Sequence, residues 1–220
     1  MKLSPLSSLS TAALMALTAS LIWVGSACAE PLSLSADDQA AVDATSDQVE
    51  LAPNLRRQVV DYSSNVAAGS VVIDTAHTYL YYVLGDGRAI RYGIGVGREG
   101  FTWSGVQSVT RKAEWPDWIP PAEMIARQPY LARVTAGGPG NPLGARAIYL
   151  GNTVYRIHGT NLPETIGQNV SSGCIRMQNA DVIDLYRRVT LGAKVIVLPN
   201  NDTRVAISAS PAMPMRVAAH

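Results

Sequence analysis

Short apolar runs separated by turn residues recur along the middle of this chain, as is typical of β-strands. The stretch 78–84 is rich in Tyr, Val and Leu, and 89–96 follows it after the turn Gly85–Gly87, whose glycines allow positive φ. Two such runs joined by a short glycine turn predict a β-hairpin. The apolar run Val71–Asp74 predicts a further strand just before the hairpin.

Further strand candidates follow, and helices do not alternate with them. They are 106–112, 147–150, 154–158 and 193–198, and a turn at 151–152 joins the middle two. A parallel α/β sheet needs a helix between successive strands, so this order predicts a mainly β fold. We expect a small β-sandwich or barrel-like domain with one or two short helices and long loops.

Short helices are predicted at the edges of this pattern. Pro121 suits the first position of a helix that runs to about Gln128. Asn179 suits the cap of a second helix over 180–191, whose apolar residues recur on one face. A short helical turn is also expected within 54–62.

Two stretches rich in glycine or proline interrupt the pattern. Gly93–Gly100 contains a Gly-x-Gly-x-Gly run, but a dinucleotide site needs a helix after it and the pattern shows none. We therefore interpret these glycines as a strand end and a turn. The second stretch, 115–144, combines prolines with tryptophans. It forms either the wall of a groove or a loop packed by its own Trp side chains.

The first 29 residues have the pattern of a secretory signal peptide. Lys2 precedes an apolar run centred on 12–24, and the run ends at Ala27–Ala29, an Ala-x-Ala-like cleavage sequence before Glu30. The alternatives are an uncleaved membrane anchor and a lipoprotein acylated on Cys28. Cleavage predicts export to the periplasm or cell envelope, with no stable membrane span in the mature chain.

Composition divides the rest of the chain into three parts. Residues 30–68 are mixed, and 33–47 is small, polar and acidic, which predicts an N-terminal linker. The strand pattern predicts one folded domain over 69–199. Residues 200–220 are polar and then rich in Pro, Met and Ala, which predicts a disordered tail. With a formal net charge of +1, no electrostatic feature favours nucleic acid or an anionic membrane as a partner.

Signal cleavage leaves Cys174 as the sole cysteine of the mature chain. A disulfide with Cys28 is the structural alternative, and cleavage after Ala29 removes it. A lone cysteine in an exported protein indicates a reactive thiol or an intermolecular disulfide. A thiol is a useful nucleophile only as thiolate, and a nearby His is the usual means of producing one near neutral pH.

His158 is the preferred partner of this thiol. It ends a predicted strand sixteen residues before Cys174, and a loop of that length can return beside its own start. Gly173 allows close backbone approach, and amides near the Cys can point at the oxyanion of an acyl transfer. His77 is the weaker alternative base. The alternatives without a chemical role are that Cys174 is a buried small apolar residue and that His158 is a hydrogen-bonded histidine of the core.

Metal and cofactor sites find no support in this pattern. One Cys and one His fall short of the roughly three or four ligands that zinc takes. We therefore expect no metal and no cofactor, and the chemistry rests on side chains and backbone amides.

Three motifs around this pair agree in residue type and spacing: Ile157–Asn161, Ile166–Gly167 and Ser171–Met177. Upstream, Asn141–Gly144 and the hairpin residues Leu80–Tyr81 fit the same pattern. Over roughly 69–199 the chain resembles the catalytic domain of L,D-transpeptidases of the YkuD type.

The resemblance implies a cysteine acyltransferase of the cell wall. Cys174 would be the nucleophile and His158 its base, oriented by a backbone carbonyl. The donor would be a peptidoglycan tetrapeptide stem, attacked at the carbonyl of its third residue with release of D-Ala. A second stem's amine would then give a 3→3 cross-link. Four further residues are implied at the oxyanion, the substrate or the motif loop: Gly159, Ser172, Gly173 and Arg176.

The chain departs from the family pattern in two places. Many members have Ser-His-Gly-Cys where this chain has Ser171–Cys174. Any role of that second His falls to Ser172, to water or to nothing, and His158 is left as the sole base. The usual Thr-Pro-x-Gly reads Thr102–Gly105 here, which bears on loop geometry.

Other functions use the same residues. Water as acceptor makes an L,D-carboxypeptidase or a hydrolase of 3→3 bonds, and a Lys of an outer-membrane lipoprotein makes an anchoring enzyme. A non-catalytic cell-wall-binding domain is a different class. A redox-sensing thiol is another, and it lacks a resolving cysteine once Cys28 is removed.

Overall fold

The structure is a computed structural model, and it describes residues 49–199. The predicted signal peptide, Cys28, the 33–47 segment and the tail 200–220 lie outside the described residues. Within 49–199 there are eleven strands and two α-helices: β1 (Gln58–Asp61), β2 (Val71–Asp74), β3 (Tyr79–Gly85), β4 (Arg88–Gly93), β5 (Val96–Gly97), β6 (Gly105–Glu114), α1 (Ala122–Arg127), β7 (Arg146–Leu150), β8 (Arg156–His158), β9 (Asn169–Ser171), β10 (Ile175–Arg176), α2 (Asn179–Arg188) and β11 (Lys194–Val197). Neither helix of this part of the chain is long and apolar enough to cross a membrane.

Most of these strands form one mixed sheet. Nine strands of the described range follow the order β1-β4-β3-β2-β11-β6-β7-β8-β10, and β5 pairs with β9 separately. The pairs β2–β11, β8–β10 and β5–β9 are parallel, and the other pairs are antiparallel. The predicted mainly β fold and the β3–β4 hairpin are confirmed. The parallel pairs were not predicted, because each joins strands that are not consecutive along the chain.

The core lies where α2 packs against the sheet. Val182 and Leu185 of the helix are fully buried in the same cluster as Leu80, Ile148 and Ile157 of the strands. Each such side chain contributes about 1.5–3 kcal/mol relative to an exposed one. The apolar face predicted for this helix therefore fixes the strands on which the site is built.

The predicted helical turn within 54–62 is wrong over most of its length. Only Pro53–Leu55 forms a 3₁₀ turn, and β1 follows as an edge strand antiparallel to β4. Its partner residues lie about thirty positions further along the chain, as in the pair Val60↔Ala89, so local propensity could not reveal the pairing. The linker predicted over 30–68 thus includes a strand of the sheet.

Residues 49–57 form an N-terminal strap across this domain. Gln178 Nε2 donates to the carbonyl of Val49 at 2.9 Å. Leu55 packs so closely on Gly93 that a Cβ there would lie 2.5 Å from the Leu55 oxygen. Arg57 reaches Asp184 of α2, with 3.4 Å between guanidinium and carboxylate. The strap is therefore part of the folded domain.

Asp184 is the centre of a buried polar network. Tyr92 Oη donates to Asp184 Oδ2 at 2.6 Å, and Arg188 donates two hydrogen bonds of 2.9 Å to the carboxylate. Burial alone raises the pKa of the Asp184 carboxyl, but the bonds from Arg188 and Tyr92 and the charge of Arg57 hold it below its ordinary value. This carboxylate is fully paired, and it ties α2 to β4 and to the strap.

Asn179 does not cap α2 as predicted. The side chain is fully buried, its Oδ1 accepts the N–H of Ala145 at 2.9 Å, and its Nδ2 donates to the carbonyl of Thr160 at 3.1 Å. Gln178 takes the cap position without a side-chain cap, and the helix ends at Arg188 rather than near 191. The Asn179 side chain instead connects two loops, one of which directly follows β8.

Candidate active site

The parallel pairing of β8 with β10 brings His158 beside the segment that carries Cys174. His158 is in register with Arg176, and Cys174 stands two residues before Arg176. Residues in register on a parallel pair share a face, so His158 and Arg176 lie on the same side, and Cys174 directly precedes β10. All three line a cavity of about 460 Å³. The structure therefore brings together the pair that the sequence singled out.

His158 is buried and held in one tautomer. Its Nδ1 lies 2.6 Å from the carbonyl oxygen of Gly159, and a carbonyl can only accept, so Nδ1 carries the hydrogen. Burial lowers the pKa of His158 to about 3, against a smaller opposing effect of the Gly159 bond and with help from the charges of Arg176 and Arg156. The imidazole is neutral at pH 7, and its Nε2 is left to accept a proton.

Cys174 is a partly exposed free cysteine. Burial raises the pKa of its thiol, while the charge of Arg156, the backbone N–H of Arg156 and the charge of Arg176 lower it in part. The thiol is therefore protonated at neutral pH. The sequence predicts that His158 takes the proton of the thiol. Burial of both partners gives a neutral thiol beside a neutral imidazole, so we expect that proton to move when the sulfur attacks.

The loop 171–174 is closed by its own hydrogen bonds. Buried Ser171 donates from Oγ to the carbonyl of Cys174 at 2.6 Å and accepts the N–H of Gly173 at 3.1 Å. Gly173 has φ +103°, and a Cβ there would lie 2.6 Å from the ring of Tyr155. Only glycine fits this position, as expected for a residue at a close approach. Ser172, at the place of the second motif His, lines the cavity.

Trp103 is the residue that the sequence reasoning missed. Its indole Nε1 donates to the carbonyl of Gly173 at 2.8 Å. The ring stacks on Tyr155 with 4.5 Å between centroids and 6° between planes. The signal was present, because Trp103 stands where the family pattern has proline, in the departure noted at Thr102–Gly105.

Two of the remaining candidates lie apart from the cavity. Gly159 does not line it; its carbonyl holds His158, and a Cβ on it would overlap Asn179 Oδ1. His77 sits between β2 and β3, bound through Nδ1 to Asp74 Oδ2 at 2.8 Å, and it does not line the cavity either. His77 as the alternative base is wrong.

The opposite wall of the cavity comes from the irregular stretch 115–144. Trp118 lines it together with Met124 of α1 and with Leu131. Trp115 instead packs against Ala145 and Ile183. The groove-wall interpretation of this stretch is confirmed for Trp118, whereas Trp115 serves the core.

Positive charge dominates the lining of this cavity. Its described lining residues include no Asp or Glu, but they include four arginines: Arg98, Arg127, Arg156 and Arg176. Within 49–199 none of these four has a carboxylate within 4.0 Å. Burial lowers the pKa of the Arg176 guanidinium, which makes no hydrogen bond to the motif loop or to any other described residue. A desolvated cation without a partner is costly, so the cavity suits an anionic ligand.

Metal chemistry finds no ligand set in this region. No group of three or more His, Cys, Asp or Glu side chains lies close enough to hold an ion within residues 49–199. The reactive atoms that the cavity does offer are the Cys174 sulfur and the His158 Nε2.

Residues 68–197 match the family model YkuD, the L,D-transpeptidase catalytic domain. The chain belongs to this family. The match includes β8, which carries His158, and the segment before β10, which carries Cys174, and it ends with β11. The resemblance noted in the sequence is thereby confirmed.

Individual relatives agree with this assignment. The chain is 37% identical over 137 residues to an Escherichia coli K12 protein described as "Probable L,D-transpeptidase ErfK/SrfK", a stretch that is 58% of this chain and 43% of that protein. It is 32% identical over 141 residues to a Fuscovulum blasticum protein described as "Putative L,D-transpeptidase in ATP synthase subunits region ORF 5", covering 63% and 74% of the two chains. The matched stretch thus spans less than half of the E. coli relative.

One solved structure is more similar in sequence. A Brucella melitensis protein described as a "Probable carnitine operon oxidoreductase" is 45% identical, covering 70% of this chain and 99% of that one, with a TM-score of 0.46. That likeness in overall shape is too low to carry an argument, and we take no activity from it.

Proposed function

We propose that this chain is a cysteine L,D-transpeptidase that acts on peptidoglycan tetrapeptide stems, with Cys174 as nucleophile and His158 as general base. Family membership supports the reaction class. One observation carries the assignment of roles: the bond from His158 Nδ1 to the Gly159 carbonyl leaves Nε2 free, in a residue that lines the same cavity as Cys174.

The first half-reaction follows from the neutral pair. Cys174 Sγ attacks the carbonyl carbon of the third stem residue while its proton passes to His158 Nε2. The carbonyl oxygen becomes an oxyanion, which backbone amides near Cys174 stabilise. Collapse breaks the amide bond to D-Ala, and the leaving amine takes the proton from His158. A thioester on Cys174 remains, and His158 is neutral again.

The second half-reaction reverses the proton path. An amine of a second stem, typically the side-chain amine of diaminopimelate, attacks the thioester carbonyl. His158 takes one proton from the amine and returns it to the sulfur as the thiol leaves. The product is a 3→3 cross-link. Water or a lipoprotein Lys can replace the amine without any other change in this sequence, so the acceptor is decided by the experiment below.

The charge of the cavity supports an anionic donor. A tetrapeptide stem ends in a carboxylate and carries others along its length. Four arginines without carboxylate partners face the space in which it would lie. Arg176 stands on the same face as His158, which makes it the first candidate for a substrate carboxylate.

The place of action follows from the substrate. We propose that the chain is exported by residues 1–29 and acts in the cell envelope, where stem peptides and the outer-membrane lipoprotein are both present. N-terminal sequencing of the secreted protein tests the cleavage after Ala29, and an intact N-terminus would contradict it.

Intact-protein mass spectrometry tests the reaction. The mature chain incubated with a tetrapeptide donor is expected to gain the mass of the stem without its D-Ala, and Cys174→Ala is expected to gain nothing. The same protein incubated with sacculi is expected to yield 3→3 dimers after muramidase digestion. A folded wild-type protein that forms no adduct contradicts the proposal, and adducts resolved only by water or by a lipoprotein Lys identify the other acceptors.

A further inference from the structure

The loop 97–103 touches the loop that carries Cys174 at several points. Arg98 N–H donates to the carbonyl of Ser171 at 3.0 Å, and Trp103 Nε1 donates to the carbonyl of Gly173 at 2.8 Å. A Cβ on Gly97 would lie 3.3 Å from the Gly173 Cα, so the absence of a side chain permits this approach. The indole bond is the one that reaches the peptide group next to the sulfur.

That bond has a consequence for the amide of Cys174. In a planar trans peptide the C=O of one residue and the N–H of the next point in opposite directions, and residues 49–199 contain no cis peptide. The Gly173 carbonyl points at Trp103, so the Cys174 N–H points away from Trp103. Cys174 lines the cavity and Trp103 does not.

The Cys174 N–H is also unused. Within 49–199 the hydrogen bonds of Cys174 involve its carbonyl and its sulfur, and none involves its backbone N–H. In acyl-transfer enzymes the backbone N–H of the nucleophilic residue itself often binds the oxyanion. The direction of the Cys174 N–H therefore affects the rate of acylation. A rotation of this one peptide group would turn the N–H away from the oxyanion.

We propose that Trp103 is a positioning residue for acyl transfer: its indole N–H locks the Gly173–Cys174 peptide in the orientation that presents the Cys174 N–H to the oxyanion. Tyr155 completes the lock, because its ring stacks on Trp103 and covers the face where a Cβ of Gly173 would stand. This inference rests on the proposed function.

Two substitutions separate this role from packing. Trp103→Phe keeps an aromatic ring for the Tyr155 stack but removes the N–H. Trp103→His loses the six-membered ring but keeps an N–H, because the imidazole Nε2 superimposes on the indole Nε1. If Trp103 only filled space, Phe would be the milder change, whereas the proposal requires His to be the milder one. Trp115→Phe, in the core cluster away from the cavity, is the matched control.

The readout compares two reactions of the same sulfur. Acylation of the mature protein by a tetrapeptide donor passes through an oxyanion, and alkylation by iodoacetamide does not. Losing one neutral hydrogen bond corresponds to roughly a tenfold effect. We expect Trp103→Phe to slow acylation about tenfold and leave the pH profile of alkylation unchanged, Trp103→His to recover most of the rate, and Trp115→Phe to match wild type.

Other outcomes overturn the inference. Equal slowing of acylation and alkylation would show a general disturbance of the thiol, and Trp103→Phe as active as wild type would show that the bond is idle. A wild-type protein that is alkylated but never acylated would instead contradict the proposed function itself, and the two failures are thus distinguishable. Near-ultraviolet circular dichroism and the Tm establish that each variant is folded.

Discussion

Two groups of arginines in this domain differ in whether a carboxylate pairs with them. Beneath α2, Arg188 and Arg57 share the carboxylate of Asp184, which also accepts a bond from Tyr92. Around the cavity, Arg156 and Arg176 have no carboxylate partner among the described residues. Charged groups are partly withdrawn from water at both places. Only at the first does an opposite charge of the fold compensate them.

The difference separates residues that serve stability from residues that serve a ligand. A paired charge ties elements together, and breaking it is expected to destabilise the fold. An unpaired, desolvated cation costs stability, and such a cost is tolerated where function needs it. Each experiment below tests whether the two places really differ in this way.

The largest effect is expected from His158. His158→Gln removes the proton acceptor, and we expect acylation of Cys174 by a tetrapeptide donor to slow by about 10²–10⁴-fold. His77→Gln is the matched control, because His77 is bound to Asp74 and does not line the cavity. Rates come from adduct formation followed by mass spectrometry. Comparable losses in the two variants would remove His158 from its role as base.

Asp184 is expected to give the largest effect on stability. Asp184→Asn leaves Arg188 without its carboxylate and Arg57 with only Asp181 at 3.7 Å, and we expect the free energy of unfolding to fall by about 3–5 kcal/mol. Asp86→Asn in the exposed β3–β4 turn is the control. Urea unfolding at neutral pH measures both variants. A loss no greater than that of the control would mean that the network is not a structural anchor.

Acid is expected to lower the free energy of unfolding through the titration of His158. Its folded pKa of about 3 lies below the unfolded value of 6.5, so the unfolded chain binds more protons between these values and stability falls as pH drops through this window. The expected loss is roughly 3 kcal/mol by pH 4.

The variant His158→Gln lacks this titration, while every other group is common to both proteins. Urea unfolding at pH 7 and pH 4 is therefore expected to show a larger drop for wild type than for the variant. Identical drops in the two proteins would mean that His158 is not held neutral by burial.

Substitution of Arg176 is expected to change the free energy of unfolding least, and to raise it where the other substitutions lower it. Arg176→Met removes an unpaired cation, so we expect unfolding to become harder by about 1 kcal/mol or less. The same change is expected to lower kcat/KM for the tetrapeptide donor about tenfold, since a charge-assisted bond is lost.

Arg188→Met is the matched substitution at the paired place, and it is expected to lower stability because Asp184 loses a bidentate partner. Thermal unfolding compares the two variants directly. The contrast between paired and unpaired arginines would be broken if both substitutions destabilised the protein alike.

Sequence reasoning reached the parts of this fold that local pattern encodes. The β3–β4 hairpin followed from two apolar runs on either side of the turn Gly85–Gly87, and the pair Cys174 and His158 followed from motif spacing. The bond from Trp103 to Gly173 spans seventy residues, so only the folded loops reveal it. Asn179 was misassigned because capping is a local preference, whereas its partners Ala145 and Thr160 are distant in sequence.

The N-terminal strap bears on how this domain is produced and trimmed. The family match begins at residue 68, yet β1 and residues 49–57 lie before it. A recombinant fragment trimmed to the match would lose the edge strand beside β4, uncover Gly93 and remove Arg57 from Asp184. We therefore expect expression yield and proteolytic resistance to depend on residues that precede the family match. Fragments for crystallisation or screening should begin no later than Val49.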